Sequence, residues 1–103
     1  MTYIYCQMTN NQTISWIFLA TALASQQKPA TIKDISKIAD GIYHAVPKEK
    51  EMKASLSFLI ENGWIEKKNS TYQLTKKGMI NYNFASLKTD LLLNIWKNIE
   101  KMF

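Results

Sequence analysis

A chain of 103 residues with 47% hydrophobic side chains, including three Trp, five Tyr and four Phe, suits one folded domain and argues against disorder. Thirteen Lys, no Arg and eight acids give a net charge of +5, and the lysines cluster: residues 1–27 carry no charge, 28–77 carry ten Lys against six acids, and 78–103 carry three against two. Such a segment attracts polyanions or simply solubilises the surface, whereas one Cys (Cys6) and one His (His44) offer no disulfide, metal cluster or nucleophile–base–acid set, so neither an enzyme nor a cofactor is expected.

The spacing predicts a first helix over residues 11–26, with Asn11 as cap. Ile14, Trp16, Ile17, Phe18, Leu19, Ala20 and Leu23 wrap most of its circumference, as in a central core helix, and Lys28 and Pro29 end it. The run at 14–25 resembles a signal peptide's apolar stretch, but no Lys or Arg precedes it and it is too short to span a bilayer. We therefore read a buried helix in a cytoplasmic chain that has no membrane partner.

Thr31 opens a second helix, with Asp34 three residues on as a capping-box variant; Ile32, Ile35, Ile38, Ala39 and Ile42 make its apolar face, and Asp40 and Gly41 mark its end. Pro47 suits the first position of a third helix over 47–62, with Glu49 and Glu51 in its first turn, Met52, Leu56, Leu59 and Ile60 inward, and Gly63 as stop. Two strands follow at 64–67 and 71–75 around an Asn69–Ser70 turn, with Ile65, Tyr72 and Leu74 inward. From Thr75 the chain turns helical again, passes an ambiguous stretch at 81–86 and ends in an apolar helix. Its stripe of Leu87, Leu91, Ile95, Ile99 and Met102, widened by Leu92, Trp96 and Phe103, is broad enough for a dimer seam; the alternative is packing against the first helix.

Three helices, a hairpin and a further helix describe a winged helix-turn-helix layout. The run Met52–Gly78, MKASLSFLIENGWIEKKNSTYQLTKKG, also resembles the recognition-helix-to-wing segment of bacterial winged helix transcriptional regulators, such as the multiple-antibiotic-resistance and phenolic-acid regulator groups. The matching positions are Leu59, Gly63, Trp64 with Ile65, and Leu74, Thr75 and Gly78; the resemblance covers roughly residues 30–80. It implies a mainly α (α+β) fold: a single winged-helix domain over 1–103, with an N-terminal segment and core helix at 1–27, helix-turn-helix and wing at 28–78, and a C-terminal helical dimerisation extension at 79–103.

The function expected from these features is duplex DNA binding by a homodimeric bacterial regulator, through helix 47–62 and wing 64–75. Lys48, Lys50, Lys53 and Ser57 would face the major groove, Lys67, Lys68 and Asn69 the flanking backbone, and Lys76 and Lys77 a phosphate at a helix N-terminus. Leu87, Leu91, Leu92, Ile95, Trp96 and Ile99 would form the dimer seam. Glu49, Glu51, the absence of Arg, a long 40–46 connection and a short wing all weigh against sequence-specific readout. The alternative is a winged helix used as a protein–protein adaptor. His44 reads as a partly buried turn residue bonded to backbone, and Tyr43 and Trp64 as core and rim packing; Trp16, Phe18 and Trp96 suit either the core or an effector pocket at the seam.

Overall fold

Helix α1 spans Asn10–Ala24 and is apolar on nearly all sides because nearly all sides are covered. The computed structural model describes residues 10–103, so the first nine residues of the uncharged N-terminal segment, Cys6 included, lie outside the described residues. Around α1 are arranged α2 (Ile32–Tyr43), α3 (Glu49–Glu61), the strands β1 (Ile65–Lys68) and β2 (Thr71–Leu74), α4 (Lys76–Ala85) and α5 (Leu92–Glu100). The described chain is thus mainly helical with a two-stranded antiparallel sheet, an α+β fold. Trp16 to Ala20 are all buried, with α2, α3 and α5 against successive sides of the helix. The buried hydroxyls here are satisfied: Thr21 donates to the Ile17 carbonyl at 2.8 Å, and Ser15 to that of Asn11 at 2.6 Å. Asn11 therefore stands inside the helix rather than capping it.

The Thr31–Asp34 box closes as its spacing predicts. The Asp34 amide donates to the Thr31 hydroxyl at 3.2 Å, and the Asp34 carboxylate accepts from the Thr31 amide at 3.1 Å. That backbone bond, then the Thr31 side chain, holds the Asp34 carboxyl below its usual range. The expected stop at Asp40–Gly41 is corrected, since α2 runs on to Tyr43. A mid-helix glycine costs about 1 kcal/mol, and Ile42 and Tyr43 beyond it offset that by packing on the core. His44, at φ 60°, is the left-handed cap and donates its amide to the Asp40 carbonyl. The bond to backbone comes from its main-chain amide, and the residue is exposed instead of partly buried. Only residues 44–48 separate α2 from α3, a shorter connection than the sequence suggested.

Pro47 is buried and precedes the Lys48 cap, so it sits before α3 and not at its first helical position. Met52, Ser55, Leu56 and Leu59 face the core; Ile60 points outward, while Phe58 is half-buried in its stead. The helix ends where Gly63 turns left-handed at φ 77°: the Gly63 amide reaches the Ile60 carbonyl at 3.0 Å and the Trp64 amide that of Leu59 at 2.9 Å. This is a Schellman stop, which favours glycine at that position.

In the hairpin, Ile65 pairs with Leu74 and Lys68 with Thr71, leaving Asn69 and Ser70 as a two-residue turn in which Asn69 takes φ 59°. Each strand is within a residue of its predicted bounds. Ile65 and Tyr72 are buried, and Leu74 packs on the core from a half-buried position. Ala30, just before α2, joins Tyr72 through two backbone bonds of 2.9 and 2.8 Å, adding a single strand-like pairing to β2's outer edge.

The largest departure from the sequence reading is at the C-terminus, where the one expected helix is two. Residues 81–85 belong to α4, and the chain breaks before α5. Ser86 turns its hydroxyl back to the Tyr82 carbonyl, and the Thr89 hydroxyl accepts the Leu91 amide at 3.1 Å. Ile95, Trp96 and Ile99, expected at the dimer seam, are instead buried within the protomer. The Trp96 indole donates to the Ser15 hydroxyl at 2.9 Å and the Gln12 carbonyl at 3.0 Å, fixing α5 on α1. Leu87, Leu91 and Leu92 remain exposed, the first two outside either helix.

Candidate nucleic-acid interface

With Met52, Leu56 and Leu59 turned inward, the 3.6-residue period carries Lys50, Lys53 and Ser57 to the opposite side of α3, where all three are exposed beside Ala54. Lys48 stands at the helix's first end. The two acids that weigh against an anionic partner both have local work. Glu51 accepts the Lys48 amide at 2.9 Å, closing the helix start, and Glu49 meets the Lys53 ammonium at 3.2 Å. An ion pair this exposed is worth about 1 kcal/mol at most, so Lys53 can exchange that carboxylate for another anion at little cost. Lys50 also borders an open groove of about 590 Å³ between α3 and the start of α1, lined by Asn11, Ile14, Ala54 and Phe58 among others.

Charge is unevenly shared between α3 and the hairpin beyond it. Residues 48–61 hold three Lys against three Glu, whereas 62–78 hold four Lys against Glu66 alone. Glu66 in turn accepts from the Gln73 amide across the hairpin at 2.6 Å. The positive excess therefore lies on the hairpin and the start of α4, not on α3 itself.

These four lysines do not form one cluster. Lys67 pairs across the hairpin with Tyr72 and holds its ammonium 5.8 Å from that ring's centroid, while Lys68 and Asn69 are exposed at the tip. Lys76 and Lys77 stand at the other end of the hairpin, roughly 13 Å away at about 3.3 Å per strand residue. There Lys77 donates to the Asn62 carbonyl at 3.1 Å, placing its charge on the exposed end of α3. Lys76 is exposed in the first turn of α4.

The positions that carry the family resemblance do mechanical work. The Thr75 amide donates to the Trp64 carbonyl at 3.1 Å; its hydroxyl donates to the Gly63 carbonyl and accepts the Gly78 amide at 3.1 Å, capping α4. A Cβ on Gly78 would stand 2.0 Å from the Trp64 carbonyl oxygen, so only glycine lets α4 approach the hairpin so closely. Trp64 itself is buried, edge-on to Phe18 and stacked on Phe103, and Tyr43 stands edge-on to both Trp16 and Trp96. All three indoles and Tyr43 thus serve packing, as does Phe18.

Comparison with protein-family models, curated proteins and solved structures gives no significant match. Among the described residues no helix is long and apolar enough to cross a membrane, and no group of three or more His, Cys, Asp or Glu could hold a metal ion. Exposed Val46 borders the start of α3 together with His44, and Ile60, expected inward, stands exposed on its flank. Val46 was legible in one respect: an apolar residue just before a proline is held extended and cannot retreat into a helix.

Proposed function

We propose that the chain is a winged helix that binds duplex DNA, with α3 as recognition helix and the β1–β2 hairpin as wing. The observation that carries this reading is the outward face of α3, bearing Lys50, Lys53 and Ser57, followed directly by a hairpin with lysines at its tip. The order of α1, α2, α3, β1 and β2 supports it, as does the Ala30–Tyr72 pairing, which ties the segment before α2 to the wing.

In this reading α3 enters the major groove. Lys50 and Lys53 meet phosphates or base acceptors, Ser57 meets a base edge, and Lys48 reaches the backbone beside them. Lys67, Lys68 and Asn69 follow the flanking backbone, while Lys76 offers its charge alongside the free amides at the start of α4. Because α3 together with Lys48 carries no net charge, the wing supplies most of the long-range attraction and α3 most of the discrimination. As a homodimer, the protein presents two such helices to half-sites about one helical turn apart, the arrangement of a bacterial transcriptional regulator in the cytoplasm.

A fluorescence-anisotropy titration of a mixed-sequence duplex tests the reading. Affinity is expected to fall roughly a hundredfold or more between about 50 and 200 mM salt, as phosphate contacts release counterions. Reversal of Lys50 and Lys53 to Glu should remove binding. Affinity that is absent at low salt, or indifferent to it, would sink the proposal in favour of a protein-binding adaptor.

A further inference from the structure

We infer that the groove between α3 and the start of α1 is a binding site for a small hydroxy acid, a carboxylate joined by a short apolar chain to a neutral hydroxyl. The site lies on a flank of α3 and its occupancy is measured without DNA, so the test does not depend on the DNA-binding reading.

Ser55 is the starting point. Four polar side chains are buried among the described residues: Thr13, Ser15, Thr21 and Ser55. Ser15 and Thr21 donate to carbonyls of their own helix, and Thr13 is also engaged. Ser55, only 2% exposed, is the one whose hydroxyl has no hydrogen-bond partner among the described residues. An unpaired buried hydroxyl is costly and uncommon in a folded protein. Ser55 lines the groove of about 590 Å³, where a ligand can supply the missing partner.

The helical period fixes what surrounds that hydroxyl. Because α3 is continuous from Glu49 to Glu61, Lys50, Ala54, Phe58, Glu51 and Ser55 follow one another around a single flank, from the outward face to the side that meets α1, and all five line the groove. Ala54 and Phe58 give this flank an apolar wall, and Ile14 of α1 supplies the opposite one. At the outer edge Lys50 is exposed and, unlike Lys53, has no carboxylate partner among the described residues.

Floor and mouth therefore ask for different groups. The free ammonium at the mouth suits an anion. Glu51 already accepts the Lys48 amide at 2.9 Å, and its negative charge on the same flank opposes a second anion at the floor. The inner group is thus neutral, and a hydroxyl can both donate to and accept from Ser55. Lys50 and Ser55 stand five residues apart, about 7.5 Å along the axis at 1.5 Å per residue, which sets a short chain between the two groups. An inorganic anion held at Lys50 would leave Ser55 and the apolar walls unused, and a purely apolar chain would leave Ser55 unpaired.

Amide chemical-shift mapping of the full chain with 6-hydroxyhexanoate, hexanoate and 1,6-hexanediol tests the site. The hydroxy acid is expected to shift the amides of α3 and of the start of α1 with a dissociation constant of about 1 mM. Each control lacks one of the two end groups and should bind at least about fivefold more weakly. Ser55→Ala should abolish the preference for the hydroxy acid over hexanoate, and Lys50→Met its preference over the diol. Ser55→Ala should also leave the melting temperature unchanged or raise it, since no bond within the protein is lost; a lower one would show the hydroxyl to be structural and overturn the inference. Lys50→Met provides the independent check if Ser55→Ala fails to fold. Equal binding of the three probes, or no shift with any of them at about 20 mM, also overturns it.

Discussion

The base and the tip of the hairpin are built from the same lysine-rich stretch of chain, yet they answer to different physics. At the base, Gly63, Trp64, Thr75 and Gly78 meet within hydrogen-bond or contact distance, and each one's chemistry is set by its neighbour: left-handed turn, carbonyl, hydroxyl and missing side chain. At the tip, Lys68 and Asn69 are exposed, held by the pairing of Lys68 with Thr71, the two-residue turn and the Thr71 hydroxyl bond to the Lys68 carbonyl. The difference teaches that Gly63, Trp64, Thr75 and Gly78 are accounted for by closure of the hairpin alone. What the hairpin does for a partner must be sought at its tip.

Three substitutions sharpen the contrast. Gly78→Ala should be the most damaging: the added methyl overlaps a backbone oxygen that cannot move without opening the hairpin, and a loss of about 3 kcal/mol is expected in chemical denaturation. An unchanged midpoint would mean that α4 docks less tightly than the contact implies. Thr75→Ala removes the cap of α4 and the bond to the Gly63 carbonyl together, for about 1–2 kcal/mol in the same measurement. Lys67→Glu with Lys68→Glu should shift stability by no more than about 0.5 kcal/mol, since exposed charges contribute little to folding; a larger change would show that the tip is also structural.

Local signals were legible in the sequence where they arise from neighbours a few residues apart. The Thr31–Asp34 box, the Gly63 stop and the Asn69–Ser70 turn all fall where their chemistry directs. Signals that depend on tertiary packing were not. Gly41 reads as a helix end, but Ile42 and Tyr43 carry α2 past it because the core receives them. The spacing of Leu87, Leu91, Ile95 and Ile99 keeps helical phase straight through the break at Ser86–Leu91, yet the first two are exposed and the last two buried, because spacing along the chain fixes a common side only where the backbone between is one continuous helix. For the same reason the sequence cannot divide a wide apolar face into its buried and exposed parts: Trp96 and Leu87 look equally available until α1 takes up one of them. On the candidate interface, the outward stripe of α3 was legible from its period. The local engagement of Glu49 and Glu51, and the tie from Lys77 to Asn62, required the structure.

The seating of α5 has an optical consequence. Trp16 and Trp96 lie with ring centroids 6.3 Å apart and planes at 27°, Tyr43 edge-on to both, and each indole N–H engaged: Trp16 by the Ala39 carbonyl, Trp96 by Ser15 and Gln12. Two rigid indoles at this separation couple their transitions, so the near-ultraviolet dichroism of the native protein carries a signature of α5 on α1. Loss of that band and a red shift of indole emission would report the undocking of α5 while the rest of the domain stands. The chain therefore contains its own spectroscopic gauge of whether α5 is seated on α1.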